Sequence, residues 1–235
     1  MKKSYFMGVT ALSIAFLLAI CLCVRALFLP QAVFSAVDYK KVIVLYAGHG
    51  GVDGGVRGVQ TGVKESDLNL AIVLALQSQL EEVGFEVVLT RKTKDGLYDS
   101  TAKGFKKRDM QKRKEIIQRA DPALVISIHQ NFYPSKSLRG AQVFYASQKE
   151  ESGKFATLLQ EKLNGLYAKE KVKARNAMQG DFFMLTCAFA PSVIVECGFL
   201  SNAKDEKLLG QVYWQNAIVQ SILSGVLAYF SQSSL

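Results

Sequence analysis

Histidine occurs twice in the 235 residues, as His49 and His129. His49 lies in Tyr46-Ala47-Gly48-His49-Gly50-Gly51-Val52-Asp53-Gly54-Gly55, a glycine-rich turn that follows the apolar run Val42 to Tyr46, and His129 closes a second apolar run, Leu124 to Ile128. A histidine at the C-terminal end of a strand in an α/β sheet points into the crevice where such folds place their sites, and neutral imidazole is the commonest protein ligand for zinc. Either histidine alone reads as a hydrogen-bonded polar residue at a strand end; two that converge make half of a metal site. Glu65, just before Ser66-Asp67 at the head of a helical stretch, reads by itself as a capping or helix-dipole carboxylate and beside His49 as a third ligand. Glu196 interrupts Val193-Ile194-Val195-Glu196-Cys197-Gly198-Phe199-Leu200, where an unpaired buried carboxylate must be compensated or lose its charge. A cation, a bound water or a catalytic need for a raised pKa would supply that compensation. The competing reading, an edge strand with Glu196 facing solvent, sits poorly with the β-branched run and the Gly-Phe turn after it. Two histidines, one glutamate and one open position describe a catalytic zinc site, with a second, non-ligating glutamate as acid and base. A phosphate loop is the rival for the glycine-rich turn, but no Gly-Lys-Ser/Thr follows it.

These residues need strands and helices to hold them. The runs Val42 to Tyr46, Val87 to Thr90, Leu124 to Ile128, Ala141 to Tyr145 and Val193 to Cys197 are short, β-branched and bounded by turn signals, and read as strands. Asp67 to Val83 repeats apolar residues at helical spacing (Leu68, Ile72, Ala75, Leu76, Leu80) and stops at Gly84. Lys107 to Ala120, Gly153 to Tyr167 and Tyr213 to Phe230 have the same character. Alternation of this kind implies a single α/β domain with a largely parallel twisted sheet of about five or six strands and helices on both faces.

The length suits one good-sized core plus an N-terminal appendage. That appendage, residues 1–36, starts Lys2-Lys3 and runs uncharged from Tyr5 to Val24, the pattern of an export signal. Its apolar stretch approaches the ~20 residues that span a bilayer, which favours an uncleaved apolar helix anchoring the chain with the lysines inside; Val33 and Ser35 leave a cleaved signal open. Residues 37–235 are the expected catalytic domain, working outside the cytoplasm in either case. The formal net charge is +9, and setting aside Lys2, Lys3 and Arg25 leaves roughly +6 on the globular part, suited to an anionic cell-wall polymer or membrane surface. Nucleic acid is excluded as a partner: no helix reads as a basic recognition helix, no aromatic-basic interleaving marks a stacking platform, and export conflicts with it. Cys21 and Cys23 belong to the apolar run, while Cys187 and Cys197 read as two buried thiols, with pairing open in an oxidising compartment.

Taken in order, Gly48-His49-Gly50-Gly51, Glu65, Ser127-Ile128-His129-Gln130-Asn131 and Glu196-Cys197-Gly198-Phe199-Leu200-Ser201-Asn202 resemble the zinc-dependent N-acetylmuramoyl-L-alanine amidases of the amidase-3 family. The resemblance spans roughly Lys41 to Phe230. Gln130-Asn131-Phe132-Tyr133-Pro134 with Gly140-Ala141-Gln142-Val143-Phe144-Tyr145 is most similar to the germination-specific amidases of spore-forming bacteria. By position, it implies His49, Glu65 and His129 as ligands of one zinc ion and Glu196 as the catalytic glutamate; Arg91, Arg113 and Asn131 match recurring family positions for which packing or hydrogen bonding behind the ligands suffices. It further implies hydrolysis of the amide joining the lactyl group of N-acetylmuramic acid to L-alanine in peptidoglycan. With no wall-binding repeats beside the domain, targeting falls to the anchor, the basic charge or a partner, and restraint to substrate choice, metal loading or an accessory or regulatory protein. The chain departs from the family's D-P-G-H-G-G in having Tyr46-Ala47, which predicts a weaker hold on metal because a carboxylate partner for the ligand is lost. It also has Ile117-Gln118 where an A-N pair is usual, read as packing variation. Self-gating members carry an extra helix after the second-histidine strands, for which Ala146 to Ser152 leaves no room. The rival readings are a zinc peptidase acting within the stem peptide and a non-catalytic peptidoglycan-binding module; the latter would be expected to lose a ligand or the catalytic glutamate.

Overall fold

The short β-branched runs do form the sheet. In the computed structural model, which describes residues 41–232, β1 (Val42–Ala47), β2 (Glu86–Leu89), β3 (Leu124–Asn131), β4 (Gln142–Tyr145), β5 (Met178–Gln179) and β6 (Ser192–Phe199) make one six-stranded sheet in the order β2-β1-β3-β6-β4-β5. Pairings β2-β1, β1-β3 and β3-β6 are parallel, β4 runs antiparallel to β6, and β5 follows β4 in parallel. The N-terminal appendage lies outside the described residues, and among those described no helix is long and apolar enough to cross a membrane.

The helices are α1 (Glu65–Glu82), α2 (Phe105–Ala120), α3 (Glu150–Ala168), α4 (Ala203–Leu209) and α5 (Val212–Gln232), with one 3-10 turn at Phe183–Thr186. Strand alternation divides them between the two faces. Val44 and Tyr46 of β1 pack with Ile117 of α2 and Met184 of the 3-10 turn. On the other face α1 and α3 each pack against α5, and Leu76, Leu159, Leu163 and Ile222 are completely buried. Ile117 of the variant Ile117-Gln118 pair is buried while Gln118 is exposed, the distribution expected of packing variation. Four residues separate β4 from α3, and no helix lies between them.

The edge reading for Glu196 fails: β6 is central, flanked by β3 and β4. His129 pairs with Glu196 across the parallel β3-β6 ladder, so the two side chains leave neighbouring strands on the same face. Three elements went unanticipated, namely β5, the 3-10 turn and α4. Each is too short to show a period.

Of these, α4 fastens the loops around the site. Asn202 caps it, its side chain accepting from the backbone N–H of Lys204 and Asp205. Asp205, fully buried, accepts from Gly140 N at 2.7 Å, Phe199 N at 3.2 Å and Arg139 Nε at 2.9 Å. Glu206 accepts from Gln60 N, Thr61 N and Thr61 Oγ1, each at 2.7 Å. One short helix thereby ties down the loop after β1, the β3-β4 loop and the end of β6. Asp205→Ala strands two buried N–H groups and a guanidinium, and is expected to lower unfolding stability by about 3–5 kcal/mol in urea denaturation; a loss under about 1 kcal/mol contradicts this fastening role.

Candidate metal centre

His49 follows β1 in the left-handed region, at φ 60°, a conformation that costs a non-glycine residue energy and persists where surroundings enforce it. Two buried arginines enforce it. Arg113 of α2 donates to His49 O at 2.6 Å and Ala47 O at 2.7 Å, its Nε is bound by Asp109, and its guanidinium lies 4.5 Å from the Tyr46 ring centre. Arg91, just past β2, donates to Ala47 O at 3.0 Å, Gly48 O at 3.0 Å and Ser66 O at 2.8 Å. Burial, then the charge of Arg113, pulls Arg91 down to about 10, which leaves it charged at neutral pH. Both arginines hold backbone behind the cluster, and the acceptors of these bonds are main-chain carbonyls. Asn131 ends β3 at a register shift, and its carbonyl accepts from Leu200 N at 2.8 Å, joining β3 to the segment after β6.

Glu65 is the first residue of α1, yet it does not cap the helix. At 2% exposure, its Oε1 lies 3.0 Å from His129 Nδ1 and its Oε2 3.2 Å from His49 Nε2. Val56 N and Gln130 N also donate to it, at 3.0 and 3.1 Å, and Asn69, one turn along α1, donates to Oε1 at 3.2 Å. His129 stacks on Tyr46 with ring centres 5.9 Å apart. Glycine makes the convergence possible: a Cβ on Gly48 would sit 2.3 Å from His129 Cε1, and one on Gly55 (φ +67°) 2.4 Å from Glu65 Oε2. His49, Glu65 and His129 thus each offer one donor atom, all within 4.8 Å of one another, a set that could hold a metal ion. Two imidazoles and a carboxylate are the donor types of a zinc site that keeps a position open.

The expectation that His49 lacks a carboxylate partner is corrected by Asp53. Its Oδ2 lies 3.1 Å from His49 Nδ1 while Lys106 holds Oδ1 at 3.1 Å, which orients the ring so that Nε2 faces Glu65. A partner four residues downstream, within the same glycine-rich turn, takes the place of the missing aspartate. Asp53 and Asn69 are the residues that the sequence left unassigned; the carboxylate in the turn and the i+4 spacing from Glu65 were the signals available. Tyr98, which accepts from Val52 N and donates to Gly50 O, carried no such signal. Cys187 and Cys197 are both free and buried.

Charges in the cluster interlock. Burial opposes ionisation of Glu65, but hydrogen bonds from His129 and His49 outweigh it and hold the carboxyl well below the usual range. Burial also disfavours charge on His49, and Glu65 and Asp53 outweigh it, raising its pKa. Glu196 goes the other way: burial, reinforced by the negative Glu65, pushes it up to about 8. Its Oε2 is buried and lacks a hydrogen-bond partner among the described residues, as expected of a carboxylate placed to meet something that binds beside it.

A pocket of about 260 Å³ opens on this cluster, with Tyr46, His49, Asp53 and His129 in its wall. The chain matches the family model described as N-acetylmuramoyl-L-alanine amidase over residues 43–228. It belongs to the amidase-3 family. The germination-specific N-acetylmuramoyl-L-alanine amidase of Bacillus subtilis is 34% identical over 195 residues, covering 82% of this chain and 81% of that protein. The amidase AmiA of Escherichia coli is 31% identical over 235 residues, covering 81% and 76%. Among solved structures, the CwlD amidase from Clostridioides difficile, in complex with the GerS lipoprotein, superposes with a TM-score of 0.77 at 36% identity, covering 81% of this chain and 98% of that one. The enzyme is therefore an amidase.

The sign of its pH response follows from the shifts. In chelated, metal-free protein the fold keeps Glu196 protonated up to about 8 while the unfolded chain releases that proton near 4.5, so stability falls as pH rises through this window. His49, also raised, adds to the fall above 6.5, whereas Glu65 is ionised in both states there and contributes a constant amount. Thermal melts across the window should show the melting temperature of chelated wild type dropping with pH and that of Glu196→Gln dropping less; identical slopes contradict the assignment.

Proposed function

We propose that this amidase hydrolyses the amide between the lactyl group of N-acetylmuramic acid and L-alanine in peptidoglycan, in maturation of the spore cortex for germination. The observation that carries the reading is the convergence of His49, Glu65 and His129 within 4.8 Å, with Glu196 paired to His129 on the adjoining strand, in a chain whose relatives include a germination-specific amidase. His49 through Nε2, His129 through Nδ1 and Glu65 are the residues that would hold zinc. Zinc, if bound, would supply the Lewis acidity that acidifies water and polarises the scissile carbonyl, and its positive charge would favour the ionised form of Glu196. Glu196 takes the proton of the attacking water and returns it to the leaving amine of L-alanine. Asp53 keeps the His49 ring oriented throughout, and Arg91 and Arg113 keep its backbone in place.

Residues 37–235 form the catalytic domain in this reading, and 1–36 the export signal or anchor that places it in the cell envelope or cortex space. Lys2 and Lys3 followed by an uncharged apolar run support export. The lipoprotein complex of the Clostridioides difficile amidase supports an accessory protein as a partner here too.

Glu196→Gln is expected to keep zinc but lose turnover by orders of magnitude, whereas His49→Ala and His129→Ala are expected to lose zinc. Metal analysis and a peptidoglycan digest on the same purified proteins decide: full activity in Glu196→Gln removes it from the mechanism, and full zinc in both histidine variants places the metal elsewhere.

A further inference from the structure

A second pocket, of about 430 Å³, lies where the β3-β4 loop meets the segment that follows α3, between Ser137, Leu138 and Arg139 on one side and residues 171–175 on the other. Its charged side chains, Arg139, Lys171, Lys173 and Arg175, are all cationic. Arg139 is compensated from behind: Asp205 accepts from its Nε at 2.9 Å, and Glu170 approaches Nη2 at 3.7 Å, too far for a hydrogen bond. Among the described residues, Lys171, Lys173 and Arg175 have no carboxylate within ion-pair distance. Three unmatched cations around one concavity make up about half of the domain's excess positive charge.

The arginines are fixed in place. Arg175 donates through Nη2 to Arg139 O at 3.0 Å, its guanidinium lies 5.3 Å from the Phe199 ring centre, and Asn164 of α3 binds its backbone N–H and carbonyl at 3.1 and 2.8 Å. Nε of Arg175 and Nη2 of Arg139 are nevertheless buried without a hydrogen-bond partner among the described residues, and guanidinium donors left unpaired inside a protein are costly. Lys171 occupies the left-handed region at φ 56°, just past the end of a helix, where glycine is the usual choice. The chain therefore concentrates uncompensated positive charge at this pocket, and the resulting field favours an anion there.

The donors define the chemistry of that anion. Guanidinium and ammonium groups arriving from two segments suit a tetrahedral oxyanion, which accepts from several directions, better than a planar carboxylate, which one arginine fork satisfies. The volume exceeds what a bare inorganic anion fills, and Leu138 and Val172 give the wall an apolar part that suits the carbon skeleton of an ester. We propose that this pocket binds a phosphate ester of about the size of glycerol phosphate, at a site that shares no lining residue with the pocket beside the metal cluster.

Isothermal titration calorimetry on the full-length protein in detergent tests this with inorganic phosphate, glycerol phosphate and glycerophosphoglycerol, the diester headgroup of phosphatidylglycerol; succinate is the dicarboxylate control. One of the two esters is expected to bind more tightly than inorganic phosphate or succinate, with an affinity that falls as salt is raised. Lys171→Gln combined with Lys173→Gln removes two exposed ammonium groups that hold nothing in the fold, and is expected to weaken ester binding about fivefold. Arg175→Ala is expected to weaken it about tenfold or more; because Arg175 also braces the loop, the double lysine variant keeps the test decisive if Arg175→Ala does not fold. Lys92→Gln, at an exposed lysine outside the pocket, is expected to bind as wild type does. A tighter hold on the diester gives a membrane headgroup as the source of the ester, and a tighter hold on glycerol phosphate gives a soluble one. Undiminished ester binding in the double lysine variant, as for an anion held at the metal cluster instead, overturns the site. So does inorganic phosphate or succinate bound as tightly as the esters, or no binding of either ester.

Discussion

Glu65 faces two imidazoles from inside the protein, His129 at 3.0 Å and His49 at 3.2 Å, and most of the surrounding structure answers to that placement. A buried carboxylate costs free energy unless hydrogen bonds or charges offset its desolvation. Here Val56 N, Gln130 N and Asn69 satisfy it from three different segments, and the imidazoles add the charge complement. Because the donors come from the loop after β1, the end of β3 and the first turns of α1, the three elements must keep a fixed relation for the carboxylate to be tolerated at all. The same geometry that stabilises the apo cluster therefore assembles the donor set for a cation.

That relation is maintained from behind rather than by the cluster. Arg91 and Arg113 donate to the carbonyls of Ala47, Gly48 and His49, and Asn69 adds a second donor at Gly48 O, so the acceptors of this turn are satisfied. By doing so they hold His49 in its left-handed conformation. On the opposite flank Asp205 and Glu206 of α4 perform the matching task for the loops that frame the opening. The outcome is a set of donor atoms on His49, Glu65 and His129 that the protein itself holds together, which would limit the reorganisation needed to bind a metal.

The parallel sheet, its strands and the four longer helices were legible in the sequence because each spans enough residues to show a period. The candidate site was legible for a different reason: His49, Glu65, His129 and Glu196 are polar residues in places where an apolar or glycine residue would have been the simple choice. What escaped was short or distant. β5, the 3-10 turn and α4 have no period to read, and Asp53 became recognisable as the partner of His49 only once the turn's geometry brought its carboxylate to Nδ1. Asp53 gives His49 a carboxylate neighbour that Tyr46-Ala47 had not suggested, and Tyr46 itself stacks on His129. The placement of Phe182 and Phe183 was likewise invisible, because those residues belong to a segment without periodicity and come to line one pocket with Tyr98 and Phe105 only through the fold.

The account rests on one claim, that a single zinc ion sits between the end of β1, the head of α1 and the end of β3. Anomalous diffraction at the zinc absorption edge, from crystals grown with zinc, tests it most directly. The prediction is one strong anomalous peak within bonding distance of His49 Nε2, His129 Nδ1 and the Glu65 carboxylate, with Glu196 beside it but not bound. A peak elsewhere, or no peak between these residues in zinc-grown crystals, contradicts the account.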